Sequence, residues 1–169
     1  MGASCFFIGH RETGGDVVPA LTEAVERHIT DYSVTDFYVG HYGGFDGLAA
    51  QAVKEARERH PEIRLTLVLP YHPAIRPIST PKGFDGTFYP WEDEKIPKRL
   101  AIIKTNQRMV DTCDYLITYA YLQLPNSEEF DVDTTLTLTR RQTKETLSLD
   151  YPVCTARKQT FYYKRFLLD

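Results

Sequence analysis

Two glycine-bearing turns carry the residue types that can hold an anion. The first is Gly9-His10-Arg11-Glu12-Thr13-Gly14-Gly15, and the second is Gly40-His41-Tyr42-Gly43-Gly44-Phe45-Asp46-Gly47. Each follows an apolar, strand-like segment and precedes a helical one. Glycine permits positive φ and lets a ligand approach the backbone. Amides at a helix start are unpaired and carry partial positive charge, so a phosphate is their natural guest. Arg11 adds a fork of donors suited to a phosphate or carboxylate, with His10 beside it. Asp46 has two readings: it accepts an amide as the N-cap of its own helix, or it reaches a ligand hydroxyl. The second turn is neither a dinucleotide fingerprint nor a Walker loop, because its spacing differs and no Lys-Ser/Thr pair follows.

The elements that must position these turns follow from periodicity. Residues 4–9 read as a strand apolar on both faces, as parallel strands are. A helix follows from about Asp16, its expected N-cap, with Val17, Val18, Leu21, Val25 and Ile29 inward and Pro19 within its first turn. A second strand over 36–40 leads to a helix over 46–60, and a third strand spans 64–69. Residues 70–96, with Pro70, Pro73, Pro77, Pro81 and Pro90, read as one long loop serving as a lid or ligand wall. Its Tyr71, Phe84, Phe88, Tyr89 and Trp91 either stack on a base or pin the loop. Pro97 opens a third helix that runs to Thr112, and a fourth strand spans 115–120.

This alternation predicts an α/β fold: a Rossmann-like, doubly wound, mostly parallel sheet with flanking helices. Ligands of such sheets bind at the carboxyl ends of the strands. The expected ligand set is therefore Gly9, His10, Arg11, Gly40, Gly43, Gly44, Phe45, Asp46 and Tyr71. Beyond Tyr121 the pattern changes. Residues 122–169 form an atypical C-terminal third, rich in threonine, with strand-like alternation over 135–139 and an aromatic tail, 161–168, expected to dock.

At 169 residues the chain is expected to form one domain, 1–169, with 4–121 as its regular core. A net charge of −3 argues against bulk attraction to nucleic acid or to anionic membrane. No apolar run approaches the ~20 residues of a spanning helix. The three cysteines, Cys5, Cys113 and Cys154, are odd in number and widely spaced, which gives neither a metal pattern nor a disulfide framework. A reducing cytoplasm fits best. No metal or cofactor is called for, and a homo-oligomer stays open.

Several segments together resemble a bacterial branch of the SLOG superfamily. They are Cys5-Phe6-Phe7-Ile8-Gly9-His10-Arg11, Phe37-Tyr38-Val39-Gly40 with Gly43-Gly44-Phe45-Asp46, and Asn106-Gln107-Arg108-Met109-Val110 with Asp114-Tyr115-Leu116-Ile117-Thr118-Tyr119. The resemblance covers roughly residues 4–121. The superfamily is Rossmann-like and includes the LOG cytokinin-activating phosphoribohydrolases and the DNA-processing protein DprA. It implies a nucleotide or nucleotide-derived ligand over the strand ends. Two departures stand out. The LOG signature Pro-Gly-Gly-x-Gly-Thr-x-x-Glu is missing, so its catalytic glutamate has no counterpart. The place of the expected Gly-rich turn after the fourth strand reads Leu122-Gln123-Leu124-Pro125-Asn126-Ser127, by divergence or by a change of reading frame.

Three functions are weighed on these residues. The first is a sensor or sequestering module for a nucleotide-like ligand, with Arg11 and Arg108 supplying charge. The alternative is hydrolysis of the N-glycosidic bond of nucleoside monophosphates. That needs a carboxylate near the ribose, and Asp46 and Glu12 are its candidates. The third, contact with single-stranded DNA, is weakened by the net charge and the lack of a basic stripe. No catalytic residue is assigned.

Overall fold

The computed structural model describes residues 2–9, 11–92 and 96–119, together with the backbone of 139–140, 153–157 and 160–161. In chain order the elements are β1 (Ala3–Gly9), α1 (Val18–Thr30), β2 (Val34–Val39), α2 (Gly44–Arg57), β3 (Arg64–Val68), β4 (Gly86–Phe88), α3 (Ala101–Thr112) and β5 (Tyr115–Tyr119). Backbone strands β6 (Thr139–Arg140), β7 (Val153–Arg157) and β8 (Thr160–Phe161) follow. Single 3-10 turns, Gly15–Val17 and Lys98–Leu100, lead into α1 and α3.

The main sheet has the order β4-β3-β2-β1-β5-β7. Its first five strands are parallel, and β7 runs antiparallel to β5. β6 and β8 pair in a separate ribbon. The expected α/β, doubly wound, mostly parallel sheet with flanking helices is therefore present. The first and fourth expected strands, β1 and β5, are direct neighbours from Cys5↔Tyr115 to Gly9↔Tyr119. The chain reverses direction across the sheet between them.

Alternation along β1 explains the layers. Cys5 and Phe7 face one side, where they join Leu21, Val25, Phe37, Val39, Ala49 and Val53 under α1 and α2. Phe6 and Ile8 face the other, packed with Met109, Val110, Cys113 and Leu116 under α3. A strand covered on both faces reads as a continuous apolar run, which is what 4–9 shows. Each buried Phe, Leu or Val side chain contributes about 1.5–3 kcal/mol.

Three expectations need correction. Asp16 does not cap α1. It sits in the preceding 3-10 turn, and the cap position is Val17, without a side-chain hydrogen bond. α2 begins at Gly44 rather than Asp46, with Gly43 as its cap residue. The stretch 70–96 is not a single loop, because Gly86–Phe88 forms the parallel edge strand β4. Three residues are too few to show a period of two, so β4 left no pattern to read. The expected strand over 135–139, apart from Thr139, and the docking of the aromatic tail lie outside the described residues.

The β3–β4 connection carries no helix and is held by side chains instead. Asp85 Oδ2 accepts the Leu65 amide at 2.7 Å and Arg57 Nη2 at 2.6 Å. The Asp85 amide donates to the Leu65 carbonyl at 2.9 Å, and Arg57 Nη1 donates to the Gly83 carbonyl at 3.2 Å. Lys54 Nζ stands 4.7 Å from the centre of the Phe84 ring. Asp85 thus aligns the edge strand by serving as acceptor for the strand beside it. Replacing Asp85 with Ala orphans the Leu65 amide and is expected to cost about 1–3 kcal/mol. Urea unfolding checks this, with Asp85→Asn retaining an acceptor and most of the stability. An unchanged midpoint for the Ala variant contradicts the assignment.

Candidate functional site

The carboxyl ends of β1, β2 and β3 open into a cavity of about 490 Å³. Gly9 and Arg11 line it from β1, and Gly40, Tyr42, Gly43 and Asp46 from β2 and the start of α2. Val68 and Pro70 line it from β3. Its opposite wall is the first half of α3, with Arg99 in the leading turn, then Ile102, Ile103, Thr105 and Asn106. Among the described residues none from β5 lines it. The space extends from β1 toward β3, on the face covered by α3, rather than across the β1–β5 junction.

The β2–α2 turn is organised by Asp46. With Gly43 as cap residue, Asp46 is the third residue of α2, and its carboxylate reaches back over the turn. Oδ2 accepts the Tyr42 amide at 3.1 Å, and the Gly43 amide also bonds the carboxylate. This is the backward half of a capping box. The next amide, of Gly44, donates to the Arg11 carbonyl at 2.7 Å. The amides expected to cradle a phosphate are therefore occupied by the chain's own oxygens. Asp46 is therefore not the N-cap expected of it but the third residue of α2, bonding backward to the turn, and the same carboxylate lines the cavity.

Burial pushes the Asp46 carboxyl up to about 6, against the two amides, which pull it down. It is the cavity-lining carboxylate that ionises near neutral pH, where a group can both take up and release a proton. Among the described residues no group of three or more His, Cys, Asp and Glu could hold a metal ion.

The expected ligand residues divide accordingly. Gly9, Arg11, Gly40, Gly43 and Asp46 meet at the cavity. Gly44 does not line it: a Cβ there would lie 2.8 Å from the Arg11 carbonyl, so this glycine allows the first two turns to touch each other. Phe45 is fully buried and stacks on Tyr119 with ring centres 5.8 Å apart, which makes it core rather than ligand wall. A Cβ on Gly9 would meet that ring at 2.5 Å. Tyr71 adjoins the cavity-lining Pro70 without itself lining the space. His10 lies outside the described residues.

Arg108 is not at the cavity. Its guanidinium lies 5.7 Å from the Trp91 ring centre, and Trp91 Nε1 donates to Thr105 at 3.0 Å. Trp91 thus pins its loop to α3. The acids near Arg108 are engaged otherwise, Asp111 with Gln107 and Asp114 with Ser4. Glu12 is exposed and away from the cavity lining. Among the polar lining residues, the expected ligand set leaves out Tyr42, Arg99, Thr105 and Asn106. Arg99 had a legible signal: a helix leading into a parallel strand begins at that sheet's carboxyl edge, so its first turn faces the ligand side.

Comparison with protein-family models and with curated proteins finds no match to this chain. Among the described residues no helix is long and apolar enough to cross a membrane.

Asp46 also sets a pH dependence. Its folded pKa of about 6 exceeds the ordinary value of 3.8, so its favourable contribution is complete below 3.8 and is lost as pH rises through 6. Asp46→Asn keeps an oxygen for the Tyr42 amide and removes the charge. We expect the variant to gain stability over wild type as pH rises from 4 to 7, by about 1–2 kcal/mol after allowing for partial exposure. His28 acts oppositely, because burial lowers it to about 4 and its contribution fades as pH falls below 6.5. That effect cancels in the difference between the two proteins. Paired melting curves over this range check the sign, and a pH-independent difference contradicts it.

Proposed function

We propose that the protein binds a small anionic, nucleotide-derived ligand at the carboxyl ends of β1, β2 and β3, as a sensor or sequestering module. The observation that carries this reading is that Arg11 and Arg99, from opposite walls, line one cavity whose remaining wall is partly apolar. Two guanidinium groups supply forked donors for a phosphate. Ile102, Ile103, Ile8 and Val68 supply apolar area for a sugar or base, and Asn106 offers both donor and acceptor. The cavity volume falls in the range of small-molecule sites. The resemblance of residues 4–121 to the SLOG superfamily supports the same class of ligand. In this reading the anion is held by side-chain cations and not by the β2–α2 amides, which Asp46 occupies.

A second reading rests on Asp46 itself. A cavity carboxyl that ionises near pH 6 can take part in cleaving an N-glycosidic bond, which would make the protein a hydrolase of nucleoside monophosphates. Its tether to the Tyr42 and Gly43 amides favours a positioning role over a proton-transfer one. Incubation with nucleoside monophosphates separates the readings: binding without release of free base supports the module, and release that Asp46→Asn abolishes supports the hydrolase. The buried thiols Cys5 and Cys113 are free, which suits a reducing compartment such as the cytoplasm.

Arg11→Ala and Arg99→Ala are each expected to weaken an anionic ligand by about 1.5–3 kcal/mol, the range for hydrogen bonds to charged groups. Arg108→Ala should leave affinity unchanged and lower stability by about 0.5–1 kcal/mol, the worth of an exposed cation–π contact. Calorimetric titration with a nucleoside monophosphate, alongside melting curves, measures both. Wild-type affinity in both the Arg11 and Arg99 variants would remove the basis of the site.

A further inference from the structure

At the β3 end of the cavity stands an aromatic cluster that the anion site does not use. Tyr42, a cavity-lining residue, meets Tyr71 edge to face, with ring centres 6.0 Å apart and planes at 77°. Tyr71 directly follows Pro70, which also lines the cavity. The Arg76 guanidinium lies 5.7 Å from the Tyr42 ring centre and 5.4 Å from that of Tyr71. A planar group therefore already rests against both rings. The Tyr42 hydroxyl is buried and has no hydrogen-bond partner among the described residues.

The strand order sets the spacing of the turns that carry Arg11 and Tyr71. Arg11 follows β1 and Tyr71 follows β3, with β2 between them. Two strand spacings amount to about 10 Å. A nucleotide has the same polarity: a charged phosphate at one end, a planar base at the other, and a sugar joining them. We propose that Tyr42 and Tyr71 form a nucleobase subsite, where a base takes the place of the Arg76 guanidinium against the tyrosine rings while its phosphate lies toward Arg11, with Arg99 reaching it from the opposite wall. This rests on the nucleotide reading of the cavity and adds the direction in which the ligand lies. Stacking on aromatic faces tolerates any base, so the subsite favours nucleotides over sugar phosphates without selecting one nucleotide.

The test compares adenosine and cytidine monophosphates with ribose 5-phosphate, which shares the phosphate and sugar but has no base. Calorimetric titration of the wild type should show both nucleotides binding more tightly than ribose 5-phosphate. Tyr71→Leu should weaken the nucleotides by about 10-fold, within the range for one base stacked on one ring, and leave ribose 5-phosphate unchanged. Tyr71→Phe, which keeps the ring, should bind all three as wild type does. If Tyr71→Leu weakens all three equally, or none, the base does not lie on this cluster and the subsite is overturned while the cation site stands. If the wild type binds neither the nucleotides nor ribose 5-phosphate, the nucleotide reading itself fails and the subsite with it.

Discussion

A parallel sheet has to be covered on both faces, and that constraint shapes this molecule. β1 is its centre: Cys5 and Phe7 need one cover, Phe6 and Ile8 another. Neighbouring parallel strands cannot be joined by a tight turn, so the chain must cross over one face or the other each time. α1 and α2 are those crossovers on one face and α3 is the crossover on the other. All five parallel strands then end at the same edge. The glycine turns after β1 and β2 and the proline turn after β3 meet there because the strands do, although they lie far apart in sequence.

The regular part of this was legible. Apolar runs over 4–9, 64–69 and 115–120 and the stripe of Leu21, Val25 and Ile29 carry their periods in residue type alone, because burial decides them. What could not be read was set by contacts between distant segments. β4 exists because Asp85 pairs with Leu65, and a single carboxylate has no period. Phe45 looked like a ligand residue because it sits in a glycine turn, but Tyr119 and Gly9 enclose it from two other strands. The role of Gly44 depends on where the Arg11 carbonyl lies, and sequence spacing does not give that. Arg99 was hidden for a different reason. Nothing in its residue type marks it, and only the direction of the helix it leads into places it at the ligand edge.

Asp46 links stability to the site. An unfilled set of amides at the start of α2 would have to be hydrated or bound to an anion. Asp46 supplies that anion from within the chain, which completes the turn without a ligand. The cost appears in the carboxyl itself, which is held partly out of water beside a cavity and pushed up to about 6. A phosphate entering the same cavity meets this carboxylate as a like charge unless Asp46 is protonated or the cations stand nearer. The positions of Arg11 and Arg99 on other elements suit the second arrangement. On the ligand reading proposed above, the phosphate is then drawn toward the two guanidinium groups and away from the glycine turn.

The cavity follows from unequal cover of the two faces. α1 and α2 together close one side, and their inward residues, from Leu21 to Ala56, are buried along both helices. On the other side α3 is the one helix among the described residues. Its second half, Met109 and Val110, packs tightly with Phe6 and Leu116. From its first half Ile102, Ile103 and Asn106 line the open space together with Ile8 and Val68, while Ala101 and Thr105 are buried. The β3–β4 connection does not close that space, because Arg57 and Lys54 tie its Gly83–Asp85 segment down on the α2 side of the sheet. With α3 as the one covering helix on that face among the described residues, a partly apolar hollow remains at the strand ends, lined by the cations of two flanking turns.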